Sequence, residues 1–407
     1  TALFLLVLGA AAFTSCGQTP AAKVNDNAVT TGAPVETNAA NSDYKPAFAG
    51  QTRVGGVKTT TPYEFKVLTE GLSAPWGITS LPDGRLLITE KGNGTLRIAK
   101  PSGELSPAIT GLLAVNSSGQ GGLLGITIDP AFEQNRMLYW VFSESVEGGT
   151  HTSVAKGKLS ADESKVENAT VIYRATPAHK GSLHYGGRIL FDKSGNLFVS
   201  TGERSDIVTR PQAQQLNSGL GKIVRITKDG KAVTGNPFAN QADARPELYS
   251  YGHRNVQGLA FQPATGELFS NEFGPRGGDE INHVRAGKNY GWPTITYGIE
   301  YGGKKVGDAI QQKEGLEQPV YYWDPSVSPS GMTFYSGNQI PEWKNNLFVG
   351  CLSGMHIARL VIENNKVVGE ERLLAGEFQR FRDVTQGKDG ALYAVTDQGR
   401  LYRIGGK

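Results

Sequence analysis

Cysteine is almost absent from this 407-residue chain: Cys16 and Cys351 are the only two, and so sparse a pair sets up no disulfide framework. Cys351, inside Leu347-Phe348-Val349-Gly350-Cys351-Leu352, reads as a small buried hydrophobe in a strand. Strong charge of either sign is lacking too, since 41 Lys and Arg against 38 Asp and Glu leave a formal net charge of +3. That balance provides no field to steer the chain onto nucleic acid, and this partner class is set aside. Histidine is scarce, and the six present (His151, His179, His184, His253, His283 and His356) show no paired spacing of the zinc-site kind. No glycine fingerprint follows a strand and opens a helix, and there is no serine nucleophile elbow. Sustained apolar spacing at three and four positions is missing as well, which argues against long amphipathic helices.

What the chain has is glycine and aromatic side chains: 53 Gly, 16 Phe, 15 Tyr and 5 Trp, with 38% hydrophobic residues. Much glycine beside enough large apolar residues for a core predicts tight turns between many short strands. One apolar run, from Ala2 to Phe13, is too short to span a bilayer. Followed by Thr14-Ser15-Cys16-Gly17, it resembles the hydrophobic part of a secretory signal ending in a bacterial lipobox, where the cysteine is acylated. No Met or basic stretch precedes it, so the beginning of that signal is expected to lie upstream. Residues 1–16 are therefore read as signal and lipobox. Residues 17–58, rich in Ala, Asn, Thr, Pro and Gly, read as a flexible tether, because they carry too little apolar surface to offset their ordering entropy. The expected location is the periplasm or cell surface, with the membrane touched only through a lipid anchor at Cys16.

From residue 59 to 407 a loose repeat runs: a small residue, a short apolar strand, a turn with Asp or Gly, and a second apolar strand. It occurs at Trp76-Gly77-Ile78, Gly122-Leu123-Leu124-Gly125-Ile126, Gly187-Arg188-Ile189-Leu190-Phe191, Gly258-Leu259-Ala260-Phe261, Gly331-Met332-Thr333-Phe334 and Arg382-Asp383-Val384. Six copies roughly 50 to 75 residues apart suit blades of four strands plus variable loops. The chain is thus expected to be all-β, a six-bladed β-propeller of four-stranded antiparallel blades. The segment Tyr63 to Leu68 is expected to pair with Leu401 to Ile404 and close the ring.

Function in such a ring sits where blade loops converge. Dense polar stretches fall there: Gly119-Gln120, Leu183-His184-Tyr185-Gly186-Gly187-Arg188, Gly252-His253-Arg254-Asn255-Val256-Gln257-Gly258, Gly274 through Asn282, Asn289-Tyr290-Gly291-Trp292-Pro293 and Arg380-Phe381-Arg382-Asp383. Together, in this order, they resemble the soluble aldose sugar dehydrogenases that use pyrroloquinoline quinone (PQQ), in the glucose/sorbosone dehydrogenase family. The resemblance covers about Pro75 to Ile404 and implies a six-bladed propeller holding the quinone in a polar funnel. It implies oxidation of an aldose at C1 to a lactone, with His184 as general base and Arg254 beside the reactive quinone carbonyl. It places Gln120, Asn255, Arg380 and Arg382 around the cofactor; two residues apart on one strand, the arginines face one side and suit its carboxylates. It further implies calcium, with Gly274 and Pro275 giving carbonyl oxygens to an ion at the quinone, and Glu280 and the Tyr290 carbonyl holding a second, structural ion. Asp279 contributes through water. The electron acceptor is not identified by the sequence.

Two departures from the family pattern stand out. Ser353 falls where a lysine commonly contacts the cofactor, and Glu203, in Thr201-Gly202-Glu203-Arg204, stands where some relatives have Asp. A non-catalytic carbohydrate- or protein-binding propeller remains the alternative. It would share the fold without needing His184, Arg254, Arg380 and Arg382 to converge.

Overall fold

The inner strand of each blade is short and apolar, begins near a glycine, and turns back through an Asp- or Gly-containing hairpin. In a computed structural model, which describes Thr1 and residues 30–407, these units fold as six antiparallel sheets around one axis. The first blade has strands Pro75–Ser80, Leu86–Glu90 and Thr95–Ala99. The second has Leu123–Ile128, Met137–Val146, Gly149–Leu159 and Val166–Arg174. The third has Ile189–Phe191, Leu197–Ser200, Lys222–Ile226 and Leu248–Tyr251. Val256–Phe261, Leu268–Glu272, Asp279–Val284 and Tyr321–Trp323 form the fourth. Pro329–Phe334, Leu347–Cys351, His356–Glu363 and Lys366–Leu373 form the fifth. The sixth has Phe381–Gln386, Leu392–Thr396 and Leu401–Gly406, with Tyr63–Thr69 as its outer strand. Among the described residues the α-helical content is one turn, Phe132–Asn135.

All six repeat copies lie on the inner strands, and each inner strand neighbours the next around the ring. The expected closure is present, with Val67 opposite Tyr402 and Phe65 opposite Ile404. The first blade departs from four strands. Its outer edge is made by two isolated bridges, Leu96 to Ile109 and Ala99 to Leu105, because Pro101, Gly103, Pro107 and Gly111 interrupt any regular ladder there. The core lies between blade faces: Phe269, Met332, Leu347 and Ala358 join the fourth and fifth blades, and Tyr335, Phe348, Phe381 and Tyr402 join the fifth and sixth. Cys351 is buried in the first of these clusters as a free thiol.

Residues 30–58 depart from the tether expected of them. Gly55–Val57 adds to the outer strand of the fifth blade, with Gly56 opposite Glu370, and Thr30–Pro34 pairs with it in turn. Gln51 is fully buried and donates to the Pro319 carbonyl, Val54 and Val57 are buried, and Glu36 pairs with Arg372 at 2.8 Å. Poor apolar content rules out an independent core, but a segment laid on an existing body needs only hydrogen-bond partners and a few apolar anchors. Cys16, the apolar run before it and residues 17–29 of the tether lie outside the described residues.

The inner ring depends on close backbone approach. A Cβ added to Gly125 would stand 2.4 Å from the Gly187 carbonyl oxygen, whereas one on Gly302 would meet nothing within 4 Å. Gly125→Ala is therefore expected to destabilise the protein by about 1–3 kcal/mol through overpacking, and Gly302→Ala to stay within about 0.5 kcal/mol of the parent. Chemical denaturation of the two variants decides it; equal stabilities would refute the close-approach account.

Candidate active site

Loops from every blade meet over one end of the ring around a cavity of about 270 Å³. Trp76 and Lys91 come from the first blade, Gln120 and Leu124 from the second, and His184, Tyr185 and Gly186 from the third. Gln257 and Phe273 follow from the fourth, Ser328 and Leu352 from the fifth, and Arg380 and Arg382 from the sixth, with Tyr301 at the mouth. Sequence stretches nearly two hundred residues apart and more are thus brought to one wall.

His184 is 4% exposed and held in a left-handed backbone conformation, φ 47°. Its N–H donates to Gln120 Oε1 at 2.8 Å, and its ring Nδ1 meets Glu203 Oε1 at 2.5 Å. Glu203 is 1% exposed and fixes the ring so that Nδ1 carries the proton and Nε2 is left as an acceptor. Burial, helped by the Arg254 charge, pushes the His184 pKa down from 6.5 to about 4 against the pull of Glu203. The imidazole is therefore neutral near pH 7. Gly202 makes the pairing possible, since a Cβ there would stand 2.1 Å from the His184 carbonyl oxygen. The adjoining Arg204 lies over the Tyr185 ring at 3.9 Å and donates to the Leu183, Gly181 and Thr150 carbonyls, locking the loop on which His184 sits.

The two arginines face one side, as their spacing requires, but they share an anion that sequence reasoning missed. Arg380 Nε meets Asp397 Oδ2 at 2.9 Å, and Arg382 Nε meets Asp397 Oδ1 at 2.8 Å. Asp397 follows the strand Leu392–Thr396 in a turn, where an Asp carries no signal of its own. Lys91 was missed for the same reason, in the Lys91-Gly92-Asn93-Gly94 turn. It lines the cavity and donates to the Gly119 carbonyl, and burial with the Arg382 charge lowers its pKa. Ser353 stands at the position expected for a lysine and is bonded to Ser328 Oγ at 2.8 Å; Lys91 supplies a cation from the first blade instead.

Arg254 and Asn255 lie behind the cavity wall. Arg254 Nη1 donates to the Gly274 and Phe273 carbonyls at 2.8 and 3.2 Å, its guanidinium lies 5.1 Å from the Trp292 ring, and its Nε has no partner. Asn255 Oδ1 accepts from the Gly186 N–H and from Gln257, and its buried Nδ2 is unpartnered. Arg254 also bounds a smaller recess with Glu272, Gly274, Glu280 and Tyr290. Glu280 accepts from Asn282, and its carboxyl is pushed up by burial and by the neighbouring Glu272 and Asp279. Tyr290 stacks on His253 at 4.7 Å and donates its hydroxyl to the His283 carbonyl. Asp279 makes backbone hydrogen bonds with both carboxylate oxygens. One oxygen accepts the Gly274 N–H and the other the Val327 and Ser328 N–H groups, so it shapes the loop that carries Gly274 and Pro275.

Fold and site together define a propeller with a neutral base and several cations gathered in an axial cavity, an arrangement suited to an acidic cofactor. The chain belongs to the glucose/sorbosone dehydrogenase family, whose model matches residues 72–403. It is 42% identical over 344 residues to the aldose sugar dehydrogenase YliI of Escherichia coli strain K12, covering 83% of this chain and 92% of that protein. The crystal structure of the soluble aldose sugar dehydrogenase from Escherichia coli in its apo-form matches with a TM-score of 0.81 at 40% identity, over 85% of this chain and 100% of that one. The PQQ-bound aldose sugar dehydrogenase of Streptomyces coelicolor matches with a TM-score of 0.70 at 29% identity, over 86% and 99% of the two chains.

In the cofactor-free protein the His184 ring is expected to titrate well below its ordinary 6.5, near pH 4. The unfolded chain then takes up this proton first, so folding stability from this group is lost as pH falls from about 6.5 to about 4 and is unchanged above that window. Resolved imidazole NMR shifts measure the pKa directly; a midpoint at 6.5 or higher would overturn the burial argument.

Proposed function

We propose that this protein oxidises aldoses at C1 to lactones with PQQ and calcium. The observation that carries the reading is His184, neutral and aimed by Glu203, in a cavity whose walls bear Lys91, Arg380 and Arg382 against the single carboxylate of Asp397. That donor set fits an acidic cofactor, as do the cavity-lining amides Gln120 and Gln257. The unpartnered Arg254 Nε and Asn255 Nδ2 lie directly behind them. The recess that Gly274 shares with the Glu280 carboxyl and Tyr290 offers oxygen donors of the kind a hard cation takes. The relative solved with PQQ bound supports the same cofactor here.

When bound, the quinone supplies the carbonyl carbon that accepts a hydride. The residues of this chain do the rest. His184 Nε2 takes the proton of the C1 hydroxyl as the C1 hydride departs, and Glu203 across Nδ1 stabilises the imidazolium that results. Arg254 adds fixed positive charge beside the site, favouring anionic character on the acceptor. The desolvated floor formed by Trp76 and Leu124 limits water around the base. Export, and a lipid anchor at Cys16, belong to the same proposal and rest on the apolar run and lipobox pattern of residues 1–16.

Sugar-dependent dye reduction by the purified protein, with PQQ and calcium added or withheld, tests the activity. Activity only with both is expected, and His184→Ala should lose on the order of 10²- to 10⁴-fold in turnover while still loading cofactor. A PQQ-loaded parent without sugar oxidation would favour a binding propeller. The wall charges give a separate expectation. Titration of the apo-protein with PQQ should show Arg382→Ala and Lys91→Ala each weakening binding about ten- to a hundredfold, the worth of one charge-assisted bond. Unaltered affinity in both would remove the cofactor from this wall.

A further inference from the structure

Part of the segment that precedes the family match at residue 72 packs against Asp324 and the loop that follows Gly274. Asp324, at the end of the strand Tyr321–Trp323, is 4% exposed. Among the described residues, the hydrogen bonds to its carboxylate all come from two positions of the N-terminal segment. Oδ1 accepts the Asn41 N–H at 2.8 Å and Asn41 Nδ2 at 3.0 Å. Oδ2 accepts the Ser42 N–H at 3.1 Å and Ser42 Oγ at 2.9 Å. The Asp324 carbonyl accepts Arg53 Nη2 at 2.7 Å, fastening the same segment a second time.

On its other side Asp324 touches the loop that carries Gly274 and Pro275. A Cβ on Gly277 would stand 2.5 Å from Asp324 Oδ1, and Gly277 holds φ +78°, a conformation few other residues adopt. The Gly277 N–H donates to Ser326 Oγ, the Gly278 N–H to the Trp323 carbonyl, and Arg276 Nε to Asn41 Oδ1. Asp279 then ties the Gly274 N–H to Val327 and Ser328. A buried carboxylate without donors is strongly disfavoured. Asn41 and Ser42 therefore decide whether Asp324 stays seated against Gly277, and through it how the Gly274 to Asp279 loop is shaped.

We infer that the N-terminal segment is a positioning strap for the calcium-binding loop, acting through Asn41, Ser42 and Asp324. The inference rests on the reading that Gly274 and Pro275 give their carbonyls to calcium at the quinone. It predicts that loss of the strap contacts raises the calcium needed for cofactor loading more than it lowers the stability of the propeller, whose blades and closing strand remain intact.

The full chain carrying Asn41→Ala with Ser42→Ala is compared with the parent, with Ser42→Ala alone and with Ser42→Thr, which keeps the hydroxyl. Quinone absorbance gives the calcium concentration at half-maximal PQQ loading, and melting in chelator gives the calcium-free stability. The double variant is expected to need about tenfold more calcium, the single Ala variant a few-fold more and the Thr variant no more than twofold, with chelator melting temperatures lowered by only a few degrees. If the double variant does not fold, the single Ala and Thr variants carry the same comparison. A lowered melting temperature with unchanged calcium dependence would make the strap merely structural and overturn the inference. A parent that loads PQQ without calcium would remove the calcium reading and the inference with it, while a parent that binds no PQQ would fail the functional proposal first.

Discussion

Where one inner strand rides on the next there is room for backbone but not for a side chain, and the ring, its floor and its cavity all follow from that. A Cβ on Gly77 would meet the Leu124 carbonyl at 3.0 Å, one on Gly125 the Gly187 carbonyl at 2.4 Å, and one on Gly258 the Ser330 carbonyl at 2.5 Å. The sixth blade has Asp383, and the third Arg188, where the other four have glycine, and both use the side chain instead. The Asp383 carboxylate takes the Ile78 N–H of the first blade at 3.0 Å and Arg188 Nη1 of the third at 2.5 Å. Arg188 in turn donates to the Gln257 carbonyl and lies 4.5 Å from the Trp76 ring. Four blades are thereby tied at the axis under the cavity, and Trp76 becomes its floor. Burial pushes the Asp383 carboxyl up while Arg188 pulls it down. Breaking such a pair leaves an uncompensated buried charge, at a cost of about 3–5 kcal/mol, a large share of the usual 5–15 kcal/mol of stability.

On that floor, desolvation and charge act in opposite directions on different groups. Burial keeps His184 neutral, with Nε2 free to accept a proton, and lowers the proton affinity of Lys91, so the base is ready while the cation is held in a costly place. Asp397 relieves only part of the positive charge from Arg380 and Arg382. A cavity with excess positive charge is poised for an anion, and a neutral base beside it is poised for a hydroxyl proton.

The path of the chain into the ring manages two exposed sheet edges. Thr30–Pro34 and Gly55–Val57 extend the outer edge of the fifth blade, and Tyr63–Thr69 completes the sixth. An open outer strand is a template for unwanted pairing. The same passage that covers the fifth blade brings Asn41 and Ser42 to Asp324, so edge protection and loop shaping come from one stretch of chain.

The sequence by itself determined the class of fold, the six inner strands and the closing strand, because these rest on short apolar runs and turn residues whose spacing is local. It also placed His184, Gln120, Arg380 and Arg382 around one cavity, since each sits next to an inner strand whose end is fixed by the repeat. Only the tertiary structure decided which partners those residues have. Glu203 holds His184, Asp397 divides its charge between two arginines, Lys91 stands in the cavity where Ser353 offers no cation, Asp279 is spent on backbone N–H groups, and residues 30–58 bind the body that composition said they would leave. Each outcome joins groups by hydrogen bonds or charge across separate turns and loops, up to the 283 residues between Asn41 and Asp324. A polar side chain in a turn has no periodicity to reveal its partner. That partner is set by which loops the ring brings within hydrogen-bonding distance, and ring geometry exists only after the blades have closed.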